Sequence, residues 1–124
     1  MDAVIDTSVV IEIFGGNKTI LNDLRDRELT YGITTITLFE LYCGTLKEKE
    51  ELMIEKLPKL EFEERSAKIG GEMFRDLKTK GRVPPAKDLL IAATAIAHDK
   101  SLLTCDRDFE VLSEYGLQSE KLKK

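Results

Sequence analysis

Four carboxylates stand among residues that offer them little compensation. Asp6 follows Ala3-Val4-Ile5, and Asp106 follows Leu102-Leu103-Thr104-Cys105. Glu40 lies inside Thr37-Leu38-Phe39-Glu40-Leu41-Tyr42-Cys43-Gly44, and Asp88 opens the most hydrophobic run of the chain, Asp88 to His98. An isolated buried carboxylate costs several kcal/mol or changes its protonation. Acids brought together repel one another unless a cation or a shared proton intervenes. Glu40 has no cation nearby on its own segment, which makes a metal ion an attractive compensator. The single His98 rules out a His-rich site, and Cys43 and Cys105 are too few and too far apart for a Cys-based zinc site or a disulfide framework. Oxygen-only ligands point to a hard ion, Mg²⁺ or Mn²⁺. No His-based acid/base pair is evident, so a metal would have to generate any nucleophile. Taken singly, the acids have simpler readings. Asp6 and Asp106 can cap the helices that follow them, Asp88 can complement a helix dipole, and Glu40 can pair with a distant Arg or Lys. Those readings predict no common location for the four.

The elements that must position these acids alternate between strand and helix. Ala3-Val4-Ile5 and Ser101-Leu102-Leu103-Thr104 read as short, fully buried strands. Val9, Val10, Ile13 and Phe14 share a helical face that ends at Gly15-Gly16. Asn17 can cap a helix carrying Ile20, Leu21 and Leu24. Thr30 to Thr34 reads as a strand, 35–46 as a largely apolar helix and 48–56 as a charged one. Lys59 to Glu63 alternates like an edge strand. Residues 64–79 carry Ala67, Met73, Phe74 and Leu77 at helical spacing, with Gly70-Gly71 allowing close approach or a bend. Pro84-Pro85 precedes the apolar helix from Asp88, which must be packed on several faces. Phe109 to Tyr115 is a short helix, Leu117-Gln118-Ser119 a last edge strand, and Lys121 to Lys124 a frayed tail. Strands separated by helices imply parallel pairing through right-handed crossovers. The fold expected is α/β, a three-layer α/β/α sandwich around a mostly parallel sheet, with strands 3–5 and 101–104 central and adjacent. Both then deliver an acid at a carboxyl end, where open parallel sheets bind ligands.

The 124 residues, 42% apolar and 34% charged, suit one domain spanning 1–124. Mean hydropathy is -0.22, and no apolar run is long enough for a membrane span. Met1-Asp2-Ala3-Val4 lacks the basic and then apolar run of a signal peptide, so a cytoplasmic protein with two reduced, buried thiols is expected. The net charge of -4 argues against loose electrostatic binding of nucleic acid. It is unevenly spread: residues 46–64 hold four basic and seven acidic side chains, and residues 65–87 hold seven basic and two acidic. The basic stretch is either a binding face or the wet side of a helix.

Four segments in order, Val4 to Ser8, Thr35 to Gly44, Lys87 to Ala95 and Leu102 to Phe109, resemble the PIN domain, most closely the VapC toxins of small toxin–antitoxin systems. The resemblance covers the whole chain in length, motif order and spacing. It implies a PIN-like α/β/α fold and a ribonuclease dependent on Mg²⁺ or Mn²⁺. Asp6, Glu40, Asp88 and Asp106 match the acidic quartet by position, with Thr7 or Ser8 and Thr104 as supporting polar groups. Asp108 is close enough to assist, although capping the helix from Phe109 suits it as well. The resemblance further implies a homodimer and a VapB-like antitoxin that blocks the site, often with an Arg or Lys near the acids. RNA cleavage fits the residues independently, because two divalent ions about 3.5–4 Å apart can activate water, neutralise phosphate and stabilise the leaving oxygen. Lys78, Lys80, Arg82 and Lys87 are candidates for RNA backbone contacts, or else form a solvated loop. Tyr42 either stacks on a base or belongs to the core. Competing readings are an RNA-processing nuclease without an antitoxin, a decayed binding module, a haloacid dehalogenase-like phosphatase and a response-regulator receiver. The phosphatase needs an acid where Ser8 stands, and the receiver needs paired acids that are not evident.

Overall fold

The computed structural model describes every residue from Met1 to Lys124. Five strands, β1 (Ala3–Ile5), β2 (Tyr31–Thr34), β3 (Lys59–Leu60), β4 (Ser101–Thr104) and β5 (Ser119–Lys121), form one sheet in the order β3-β2-β1-β4-β5. Every neighbouring pair is parallel. The helices are α1 (Thr7–Phe14), α2 (Lys18–Asp26), α3 (Thr35–Cys43), α4 (Glu48–Lys56), α5 (Glu64–Lys80) and α6 (Ala86–Ala97), followed by 3₁₀ turns over Arg107–Tyr115.

Period-two alternation along the strands divides the core into two layers. Val4 and Leu102 pack with α5, α6 and the 3₁₀ turns, around Met73, Leu77, Ile91 and Phe109. Ile5, Ile33 and Leu103 face the opposite layer with Val9, Ile20, Leu41 and Ile54 from α1 to α4. Both faces of β1 are therefore covered, which is why Ala3-Val4-Ile5 shows no polar alternation. The expected α/β/α sandwich is present, with β1 and β4 adjacent in the middle.

Some local expectations are displaced, each for a packing reason. On α5 the buried line is Ser66, Gly70, Met73 and Leu77, while Ala67 and Phe74 are exposed. Small residues occupy that line because α6 comes close: a Cβ added at Gly70 would lie 3.3 Å from Ala93 Cβ. Leu21 is exposed, leaving Ile20 and Leu24 to bury α2. Asn17 does cap α2, its side chain accepting the Ile20 N–H at 3.2 Å. Helix α3 stops at Cys43 before Gly44, so Cys43 is exposed and only Cys105 is a buried thiol. Tyr42 is likewise half exposed and outside the core. The edge strand β3 is two residues long, because the chain leaves it to bond Phe62 N–H to Thr35 Oγ1 at 3.1 Å. The last strand begins at Ser119 rather than Leu117, and the tail is docked rather than frayed. Leu122 is buried, its N–H donates to the Thr104 carbonyl at 2.7 Å, and the Lys124 carbonyl accepts from Asn17 Nδ2 at 3.3 Å. Gly32 in β2 has a steric basis: a Cβ there would lie 2.7 Å from the Pro58 carbonyl oxygen, the acceptor of the neighbouring Ile33 N–H. No helix is long and apolar enough to cross a membrane.

Candidate active site

The sheet order puts the reversal of strand connections between β1 and β4, because β1 leads to β2 on one side and β4 joins on the other. A crevice outside the carboxyl ends of the strands is expected at such a point. Asp6 leaves β1 there, its N–H donating to the Leu103 carbonyl of β4 at 3.1 Å. Asp6 as a whole is 3% exposed. Oδ1 accepts from Ser8 Oγ at 2.6 Å and from the Val9 N–H at 3.2 Å, and Oδ2 accepts from Thr104 Oγ1 at 2.6 Å. Ser8 Oγ in turn accepts the Cys105 N–H at 3.0 Å, and Thr104 Oγ1 the Asp106 N–H at 2.9 Å. Every donor to Asp6 is neutral. Burial therefore raises its pKa above the ordinary carboxylate value despite these bonds, with Asp106 adding to the rise. Asp6 also caps α1, so the simple capping reading is met at the same crevice.

Glu40 projects from α3, where Oε1 accepts from Thr7 Oγ1 at 2.7 Å. The Thr7 hydroxyl oxygen also lies 3.1 Å from Thr37 Oγ1. Lys87 Nζ stands 4.0 Å from Glu40 Oε2 and 5.9 Å from the centre of the Phe39 ring. A distant lysine thus does approach Glu40, at the outer limit of an ion pair.

Asp88 lies in the first turn of α6 and faces the other acids. Its pKa is pushed up to about 7, first by burial and then by Asp106, Asp108, Asp6 and Glu40. Carboxylate oxygens of Asp88, Asp106 and Asp108 lie within 4.8 Å of one another. The cap of the 3₁₀ turns is Asp106, whose Oδ1 accepts the Asp108 N–H at 2.9 Å. Asp108 does not cap the segment from Phe109; it joins the acidic cluster. The helix dipole alone would lower the Asp88 pKa, and the opposite shift shows that burial and like charge dominate.

The four basic candidates are placed differently from one another. Lys87 borders Glu40, and Arg82 lines a cavity that includes Asp108. Lys80 is held by Asp76 at 3.0 Å and Glu114 at 3.3 Å, against the Tyr115 ring. Lys78 is exposed at the end of α5, with no contact to the acids. His98 caps the far end of α6, with Nε2 3.0 Å from the Glu61 carbonyl. Ten residues of helix place it roughly 15 Å from Asp88, too far for acid/base work among the carboxylates.

The donor set fits a hard divalent ion. Five carboxylates converge, Lys87 is the one base within 4.0 Å of any of them, and no sulfur or imidazole ligand joins the cluster.

Comparison with known proteins agrees with this geometry. Residues 3–115 match the PIN domain family. The chain is 58% identical over 93 residues to Ribonuclease VapC3 of Methanocaldococcus jannaschii, covering 75% of this chain and 97% of that one. It is 56% identical over 70 residues to an uncharacterized protein of Archaeoglobus fulgidus, covering 56% and 82%. Among solved structures, a chain of the promoter-bound VapBC2 complex of Rickettsia felis superposes with a TM-score of 0.83 at 25% identity, covering 99% of this chain and 100% of that one. A chain of VapBC-1 from nontypeable Haemophilus influenzae gives 0.80 at 24% identity, covering 98% of each. The phosphatase and receiver readings have no counterpart in these matches. By its family match, its sequence relatives and its fold, the chain belongs to the PIN-domain family.

Proposed function

We propose that this protein is a ribonuclease dependent on Mg²⁺ or Mn²⁺ and the toxin of a VapBC-type toxin–antitoxin pair. The observation that carries the reading is the convergence on Asp88: its carboxylate lies within 4.8 Å of those of Asp106 and Asp108, and burial with the nearby Asp106, Asp108, Asp6 and Glu40 pushes its pKa up to about 7. Such a cluster is strained by itself and relieved by a divalent ion. Asp6, Glu40, Asp88 and Asp106 are the residues assigned to hold the metal, with Asp108 at the edge of the set. A bound divalent ion supplies phosphate-charge neutralisation and acidifies water.

The chain's own groups have distinct parts. Ser8 and Thr104 hold the two oxygens of Asp6 in fixed directions, and Thr7 does the same for Glu40. They keep the ligands oriented before substrate arrives, as polar groups behind metal ligands do. Lys87, beside Glu40, and Arg82, in the cavity with Asp108, would meet phosphate oxygens on either side of the acids.

The relatives named VapC and VapBC support an antitoxin partner. A groove of about 290 Å³ between α1, α3 and the start of α4 opens beside Glu40, with Ile11, Phe14, Leu41 and Leu46 on its walls. Exposed Phe39, Tyr42 and Leu52 lie on α3 and α4. Exposed apolar surface of this kind marks a partner site, here assigned to a VapB-like antitoxin and a homodimer. A cytoplasmic location belongs to the same proposal.

Purified protein incubated with cellular RNA and Mg²⁺ or Mn²⁺ is expected to cut it, with EDTA abolishing the cleavage. Retention of full activity in Asp88→Asn, with contaminating nuclease excluded, would contradict the assignment. Light scattering of the protein alone tests the dimer, and co-purification with a co-expressed VapB-like protein tests the antitoxin.

A further inference from the structure

A second cluster of charge borders the acids, and it is basic. Ser8, Cys105, Asp106, Arg107, Lys121 and Lys124 line a cavity of about 510 Å³. On the other side of Arg107, a cavity of about 420 Å³ is lined by Arg107, Asp108, Arg82, Val83, Pro85 and neighbouring residues. Arg107 is common to both. Cations from three separate parts of the chain, Arg82 before α6, Arg107 after β4, and Lys121 with Lys124 at β5, therefore flank Asp106 and Asp108 on two sides. None of Arg82, Arg107 and Lys121 lies within ion-pairing distance of a carboxylate, whereas Lys124 Nζ is 3.8 Å from Glu12. In a protein of net charge -4, three cations without a carboxylate partner gathered beside one carboxylate cluster form a local attraction for an anion.

We infer that Arg82, Arg107, Lys121 and Lys124 form a track for the sugar–phosphate backbone of single-stranded RNA, which crosses the acids at Asp106 and Asp108. This rests on the ribonuclease reading. A polyanion is the occupant that fits both cavities at once, because its charges repeat along a chain and Arg107 faces both cavities. The acids alone would repel it; cations on either side hold the neighbouring phosphates while the central one meets the acidic cluster. No aromatic side chain lines either cavity, so the track lacks the stacking platforms of base-reading grooves. It grips the backbone rather than stacking the bases. The tail is part of this track only because Leu122 and the Thr104 carbonyl dock it beside β4.

The test uses the full chain carrying Asp88→Asn, so that binding is measured without cleavage. Affinity for a short fluorescent single-stranded RNA is read by anisotropy across a salt series. Each phosphate that the protein no longer neutralises should make the slope of log affinity against log salt shallower by about 0.7. Arg107→Gln is expected to show about that change, Arg107→Gln with Lys121→Gln about twice it, and Arg107→Lys little. Lys68→Gln removes the same charge from a remote turn of α5 and is expected to leave the slope alone. In the wild-type background, Arg107→Gln should slow cleavage at low RNA concentration and recover at saturation. If wild type cuts RNA but the Arg107 and Lys121 variants keep its slope and rate, the track is wrong and the nuclease stands. If an acidic peptide competes for the protein and RNA does not bind, the track serves a protein partner and the inference falls. If wild type neither binds nor cuts RNA, the functional reading falls and the track with it.

Discussion

Asp88 and Asp6 show how far the site departs from ordinary carboxylate behaviour. In metal-free buffer the unfolded chain releases the Asp88 proton near 3.8 and the folded chain near about 7. The folded state therefore binds more protons between those values, and its stability falls as pH rises through that window. The raised pKa of Asp6 acts in the same direction. Calorimetry in EDTA should accordingly give a higher Tm near pH 5 than near pH 8. Mg²⁺ should raise Tm by a few degrees at pH 8 and by much less at pH 5, where Asp88 is protonated. Asp88→Asn should raise the metal-free Tm at pH 8 while lowering cleavage by about 100-fold or more; a lowered Tm would show that Asp88 has a favourable partner in the folded state. Thr104 works through Asp6. Thr104→Val removes the donor to Oδ2 and the acceptor of the Asp106 N–H. Two buried or half-buried groups lose a partner, at about 1–3 kcal/mol in urea denaturation.

Helices α5 and α6 decide where Asp88 stands. Gly70, on the buried line of α5, meets Ala93 of α6. Gly70 and its neighbour Gly71 are alike in sequence and opposite in surroundings. Gly71 is exposed, with nothing within 4 Å of an added Cβ. Gly71→Ala should stabilise by about 0.5–1 kcal/mol, because alanine loses less entropy in a helix interior. Gly70→Leu should destabilise by about 1–3 kcal/mol through overpacking against Ala93 and lower activity as α6 shifts. Equal effects of the two substitutions, measured by chemical denaturation, would refute this account of the helix pair.

Across the whole molecule, the chain's end closes the sheet and one wall of the crevice. Strand β5 pairs with β4 through Leu102, Leu103 and Thr104, and Arg27 holds it from the other side by binding Glu120. Leu122 then fills the layer between the sheet and α1 to α4. Leu122→Ala should cost about 2–5 kcal/mol; a change below about 0.5 kcal/mol would mean that the tail is not docked in solution. Because Thr104 both accepts the Leu122 N–H and donates to Asp6, loosening the tail should also raise the Mg²⁺ concentration needed for activity.

Read alone, the chain determined its layers and the order of its acids. Buried parallel strands require unbroken apolar runs, and helices require a period near 3.6, so Ala3-Val4-Ile5, Ser101 to Thr104 and the run after Asp88 declared themselves. Asn17 and Asp6 declared their caps by residue type. Tertiary structure decided what periodicity does not encode. Close approach of α6 moved the buried line of α5 onto Ser66 and Gly70. Glu40 met Thr7 and Lys87 across 33 and 47 residues of sequence. The tail, read as frayed from its lysines, was docked by Leu122, the one apolar residue among them. Local sequence sets backbone preference over a few residues, whereas burial, charge crowding and the path of a groove depend on segments that only the packed sheet brings together.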